Sequence, residues 1–294
     1  MQTVTIHLDI VVSAFILISY PGISRAQPQL GESSVPDKST AADSEPAGAS
    51  AGDAQNPQPE SSNGSSSSQA EQDGLVRRSV RRTLQDQKGL YLAPLHPSNF
   101  KWDLLVLAGT GALLATDRRI ERHLPGGNPT SYSNMSDVAL GGISGTLSLM
   151  WAYGMKTHNE HLKEMGSLEL ETLVNTFLVY VPMQVIAGRQ RPGVGNGNGD
   201  FLSNHNINTS FPAGHPMFTM AMATVVAHEY PKNWVKLLAY GTAATVVAGR
   251  LLGHDHWASD ELVGVSLGYV IGSHMFHSHC DPQFNEACHQ PSRN

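Results

Sequence analysis

The chain has 294 residues, a formal net charge of −6 and a sequence pI near 6.1. A mildly acidic chain presents no broad basic surface, which excludes a nucleic-acid-binding role. Only Cys280 and Cys288 are present, both near the C-terminus, so a disulfide-built fold is excluded and one late bridge stays open.

Residues 1–26 hold an apolar run, Ile10–Ser19, then Pro21-Gly22 and Ser24-Arg25-Ala26. That is the layout of an export signal cleaved after Ala26, although no Lys or Arg precedes the run and Asp9 stands at its edge. Residues 27–74 are rich in Ser, Pro, Gln and Gly and nearly free of large apolar side chains, as expected of a disordered linker. Between 75 and 88, Arg77, Arg78, Arg81 and Arg82 alternate with Leu75, Val76, Val80 and Leu84. A helix there either attaches to an anionic membrane surface or packs as the first helix of the domain.

Six apolar runs follow: Leu104–Ala115, Val138–Met150, Leu173–Ala187, Ala213–Ala227, Leu237–Gly249 and Leu262–Gly272. They are rich in Ala, Leu, Gly and Met without strand-like alternation, so the expected fold is all-α, a bundle of about six core helices. Asp117 is read as the end of the first run, Ser167 as a cap, Pro212 as part of a first helical turn, and Gly193–Gly199 as a loop. The domain is expected over 75–280, with a tail at 281–294. Runs of about 12 to 15 residues fall short of the ~20 that a membrane span needs. If all six crossed after signal cleavage, the loop between the third and fourth would face the cytoplasm. A soluble or peripheral bundle in the exported compartment is therefore expected.

Three stretches carry chemistry. Gly249–Asp260 reads GRLLGHDHWASD, with Arg250, His256 and Asp260; on a helix His256 and Asp260 lie one turn apart. A carboxylate holding one imidazole N–H frees the lone pair on the other nitrogen, which suits a nucleophile or base. Gly188–Pro192 supplies Arg189 and Arg191, and Ser210–His215 opens a helix with Gly214 and His215. A helix N-terminus with free N–H groups is an anion site. An anion cradle, arginines, two histidines and an aspartate fit phosphoryl transfer.

These stretches resemble the signature of the type 2 phosphatidic acid phosphatase family, which includes bacterial acid phosphatases and vanadium haloperoxidases. Arg191-Pro192 resembles the end of its first motif; Pro212, Gly214 and His215 its second; Arg250, His256 and Asp260 its third, with spacing kept. The similarity covers about 168–272. It implies a helical fold and a site needing no cofactor or metal. It also implies His256 as nucleophile, Asp260 as its orienting partner and His215 as the acid. Arg191, Arg250 and the Gly214 N–H are implied as phosphate contacts. Three positions depart: Gln184 stands in the lysine's place in the phosphate site, and Ala213 and Gly249 replace serines. Arg189 is a candidate to restore the lost charge, although a continuing helix would point it to another face. His254 and Asp255 are assigned to the rim.

The implied function is an exported, periplasmic or membrane-associated phosphatase of phosphate monoesters or lipid phosphates, working through a phosphohistidine. Its partner is a phosphorylated small molecule or lipid, with a membrane surface. The alternatives are a vanadate-dependent haloperoxidase, with vanadate on His256, and a non-catalytic envelope protein that binds phosphate-bearing lipids. The cluster His158, Glu160, His161 and Glu164 is read as a solvated loop or helix. The Cys- and His-bearing tail is read as unpaired ahead of a Cys280–Cys288 bridge.

Overall fold

The structure, a computed structural model, describes residues 80–285 and Cys288. The expected export signal, the linker and residues 75–79 lie outside these. The described residues fall in one unit, Val76–Asn294.

Seven α-helices and no strand occur among the described residues: α1 (80–92), α2 (Phe100–Arg122), α3 (Pro129–Thr157), α4 (Glu160–Ala187), α5 (Gly214–Glu229), α6 (Asn233–Leu252) and α7 (Ala258–His279). All six apolar runs lie on helices, but the helices are longer than the runs. Local capping in the polar flanks sets the ends. Asn128 accepts from the Thr130 N–H and starts α3, while Asn159 accepts from the Leu162 N–H and starts α4. Gly188 ends α4 in the left-handed region, where a side chain would meet the Asn204 carbonyl. Two expected boundaries are corrected. Ser167 lies inside α4 with its hydroxyl on the Lys163 carbonyl, and Asp117 lies inside α2, buried. Pro212 precedes α5, whose N-cap is Ala213.

The architecture is built around α5, which is buried on nearly every face. α7 lies against it through Gly264, Gly268 and Gly272, where a Cβ would overlap the Ala213, Met217 and Ala221 carbonyls. Small residues at this four-residue spacing let two backbones approach closely. Leu168, Val179, Met217, Ile271 and Phe276 fill the space between α4, α5 and α7. Leu140, Leu147, Met165, Met222 and Val246 fill that between α3, α4, α5 and α6. α3 and α6 cross where Gly249 meets the Tyr132 carbonyl and Ser136.

The first helix packs on the bundle: Arg82 reaches Glu171 and His279, and Asp86 accepts from His279. Cys280 and Cys288 form a disulfide, which corrects the unpaired tail. The outer faces stay apolar, with Trp102, Leu105 and Leu107 on α2, Val138 and Leu149 on α3, Ile186 on α4, and Trp234 and Leu237 on α6 all exposed. Both α4 and α6 are long and apolar enough to cross a membrane, against the sequence expectation of short runs.

Candidate active site

The C-terminal ends of α2, α4 and α6 meet the N-terminal ends of α3, α5 and α7, and the three motif stretches converge there. His256 lies between the end of α6 and Trp257, the N-cap of α7, and is buried. Its Nδ1 lies 2.7 Å from the Ser210 carbonyl oxygen. A carbonyl only accepts, so Nδ1 carries the proton and Nε2 keeps its lone pair. Burial, then the Arg191 and Arg250 charges, hold its pKa well below the usual imidazole range, against the pull of the Ser210 carbonyl.

The expected His256–Asp260 contact is replaced by a contact through Ser210. Asp260 Oδ1 accepts from Arg189 at 2.5 Å, and Oδ2 accepts from the Ser210 hydroxyl at 2.5 Å and the Trp257 N–H at 3.1 Å. Asp260 is the third residue of α7, so its carboxylate folds back onto the N-cap amide, away from the imidazole. Burial lifts its pKa to about 6, against the opposing pull of Arg189 and Ser210.

His215 stands in the first turn of α5. Its Nε2 lies 3.3 Å from Asp137 Oδ1, yet is not aligned to donate and has no hydrogen-bond partner. Burial, then Arg191, push its pKa down to about 4, and Asp255 pulls the other way. At Gly214 a Cβ would sit 2.8 Å from the Tyr180 ring, so glycine is set here by packing as well as by anion approach.

Arg250 is buried at the end of α6. It donates to the Ser136 hydroxyl at 3.0 Å, to Asp255 Oδ2 at 3.1 Å and to Asp137. Arg191 donates to Asn208 Oδ1 at 2.7 Å and lies 3.9 Å from Asp255 Oδ1. Both phosphate-binding candidates lie close to His256, Arg191 also lies close to His215, and each arginine is met by a carboxylate.

The motif segment was also compared with known proteins. Residues 168–282 match the PAP2 superfamily. The match covers less than half of the chain. It contains Arg191, His215, Arg250, His256 and Asp260, whereas Asp117, Ser136 and Asp137 lie outside it. A 65-residue stretch is 34% identical to a lipid A 1-phosphatase of Porphyromonas gingivalis. The stretch covers 21% of this chain and 15% of that protein. No solved structure matches the chain.

The departures from the PAP2 pattern have physical causes. Gln184 does not face the pocket, which corrects its expected phosphate role. Its Nε2 donates to the Pro212 carbonyl at 2.7 Å, and its Oε1 accepts from the Thr209 N–H at 2.6 Å, so the amide braces the approach to α5. Gly249 lies where α3 and α6 touch, and a serine would collide with the Tyr132 carbonyl and Ser136. The Ser136 hydroxyl on Arg250 supplies a hydroxyl from the neighbouring helix. Arg189 points inward to Asp117 and Asp260 and does not restore charge to the pocket.

Sequence reading placed Asp255 at the rim, but it bonds Arg250 and Ser133. His254 reaches Glu121 of α2. Ser136, Asp137 and Asp117 were missed. The available signal was a lone carboxylate beside an apolar helical run. His161 pairs with Glu229 at 2.6 Å, at the opposite end of the bundle.

Proposed function

We propose that the chain is a metal-independent phosphatase of lipid phosphates that works through a phosphohistidine on His256. The observation that carries this reading is the fixed tautomer of a buried His256, beside His215, Arg191 and Arg250.

His256 Nε2 attacks phosphorus, and the bond to the ester oxygen breaks. The leaving alkoxide takes a proton from the His215 imidazolium. Neutral His215 then takes a proton from water, whose oxygen attacks phosphorus as the P–N bond breaks. Arg191, Arg250 and the first N–H groups of α5 hold the equatorial oxygens. Burial and Arg191 disfavour the His215 imidazolium, so its proton arrives with the substrate. A phosphoryl dianion beside it reverses the effect of Arg191 and raises its affinity for a proton.

The lipid assignment is supported by a cavity of about 1030 Å³ between α3 and α6, lined by Ile143, Met150, Tyr230, Trp234, Leu238 and Thr245 among others. It follows α6 from Trp234 to Thr245, and Arg250 lies five residues beyond, about 8 Å along the axis. An apolar groove ending near the phosphate cradle fits a hydrocarbon chain. The similar protein from P. gingivalis bears the name of a lipid phosphatase, which agrees. The apolar outer faces support association with a membrane, and the Cys280–Cys288 bridge supports an oxidising, exported compartment.

The test is phosphate release from a lipid phosphate in mixed micelles with a chelator present. Wild type turns over, and His256→Ala loses at least about 10³-fold in rate. A transferred radiolabelled phosphoryl group is acid-labile and maps to His256. A His256→Ala rate equal to wild type removes the nucleophile.

A further inference from the structure

Arg189 belongs to none of the phosphate contacts, yet it is the most heavily engaged cation beneath the site. Its side chain is only 3% exposed. Nε donates to the Gly199 carbonyl at 3.2 Å. One terminal nitrogen donates to Asp260 Oδ1 at 2.5 Å and Ser259 Oγ at 2.7 Å, and the other to Asp117 Oδ2 at 2.8 Å. The plane lies over the rings of Phe201 and Trp257, at 4.8 and 5.3 Å. Asp117, carried in from α2, also accepts from the Ser259 N–H at 3.1 Å.

The assembly closes on His256. The Ser210 N–H donates to the Arg189 carbonyl at 2.8 Å, its hydroxyl donates to Asp260, and its carbonyl receives the His256 Nδ1 proton. Ser210 is thus held at both its amide and its hydroxyl, and its remaining polar group sets the imidazole. We infer that Arg189, anchored by Asp117, is a positioning residue for His256: it fixes Asp260, Asp260 fixes Ser210, and the Ser210 carbonyl fixes the tautomer of the nucleophile. The catalytic part of this inference rests on the function proposed above.

The physical reason lies in charge. Two buried carboxylates, Asp117 and Asp260, flank one guanidinium, and the Ser259 hydroxyl accepts from Arg189 and donates to Asp117. Without the cation they face each other, and one binds a proton. Protonation removes the negative charge that strengthens the bonds from the Ser210 hydroxyl and the Trp257 N–H to Oδ2, and without Arg189 on Oδ1 the carboxyl is no longer held in its plane. Ser210 then turns, and Nδ1 loses its fixed acceptor. Lysine keeps the charge but cannot fork between two carboxylates.

The experiment compares wild type, Arg189→Lys, Arg189→Met and Asp117→Asn as full chains in detergent, with His256→Asn used to assign the His256 signal. Side-chain ¹⁵N spectra of histidine read the tautomer directly, with or without turnover. Wild type should show the Nδ1–H form of His256, and the three variants a mixture. With lipid phosphate, kcat of Arg189→Met should fall about 10²-fold at nearly constant KM, because Arg191 and Arg250 are untouched. The acid limb of its pH profile should move, and Arg189→Lys should recover part of the loss. If Arg189→Met does not fold, Arg189→Lys and Asp117→Asn carry the same readouts. Folded variants with an unchanged His256 tautomer and pH profile overturn the inference, as does a loss confined to KM. A tautomer change in the variants with no His256-dependent turnover by wild type overturns the proposed function and leaves the positioning role standing.

Discussion

A neutral imidazole is a useful nucleophile only if the correct nitrogen is bare, and in this chain a backbone carbonyl makes that choice. Ser210 is 46 residues from His256 in sequence, so the partnership could not be read from the spacing of His256 and Asp260. The stretches that hold His215, Arg250 and His256, picked out by residue type and spacing, do come together in the fold. Which carboxylate serves which cation was not legible, because Asp117 and Asp137 arrive from separate helices.

His215 gives a pH test with a definite sign. Its folded pKa of about 4 lies below the ordinary 6.5, so between those values the unfolded chain binds a proton that the folded chain refuses. Stability is lost as pH falls through that window, by up to about 3 kcal/mol. Asp260 acts in the opposite sense: its folded pKa of about 6 lies above 3.8, so its contribution is lost as pH rises through 6. The two roughly offset in wild type between pH 4 and 6. His215→Gln removes only the first, so the variant should gain thermal stability relative to wild type as pH drops from 7 to 4.5. Parallel melting temperatures across that range would contradict the burial of an uncharged His215.

At the scale of the element, glycines decide how close the helices come. The PAP2 pattern has a serine at position 249, and restoring it tests whether packing or phosphate binding governs that position. Gly249→Ser pushes a side chain into the Tyr132 carbonyl and Ser136. Overpacking of this kind costs about 1–3 kcal/mol, or about 2–4 °C in melting temperature for each kcal/mol in a chain of this size. Because Arg250 adjoins the crossing, kcat/KM should fall about 10-fold. A gain in activity would show that phosphate binding governs the position. The helices themselves were legible as apolar runs. Their ends were not, since Asn128, Asn159 and Gly188 set them within polar stretches that carry no periodic signal.

The described helices present apolar faces outward while the candidate site is gathered at one end of the bundle. Such a surface is costly in water, which supports the proposed association with a membrane. The chain should therefore sediment with membranes after high-salt and alkaline washes and be released by detergent. Release by alkali alone would mean that something other than lipid covers those faces. The sequence placed the apolar runs but undercounted their helical length.

The pairing of Arg250 with Asp137 and of Arg191 with Asp255 bears on how substrate is found. Positive charge that is already matched nearby projects little field beyond the mouth of the pocket, so a phosphate in bulk water is not drawn in from a distance. For the proposed lipid-phosphate substrate, capture then depends on encounter within the bilayer plane, where the hydrocarbon chain is already concentrated, and the headgroup exchanges places with the carboxylates on arrival. Salt should hardly alter the rate of encounter, whereas surface dilution by inert lipid should slow it.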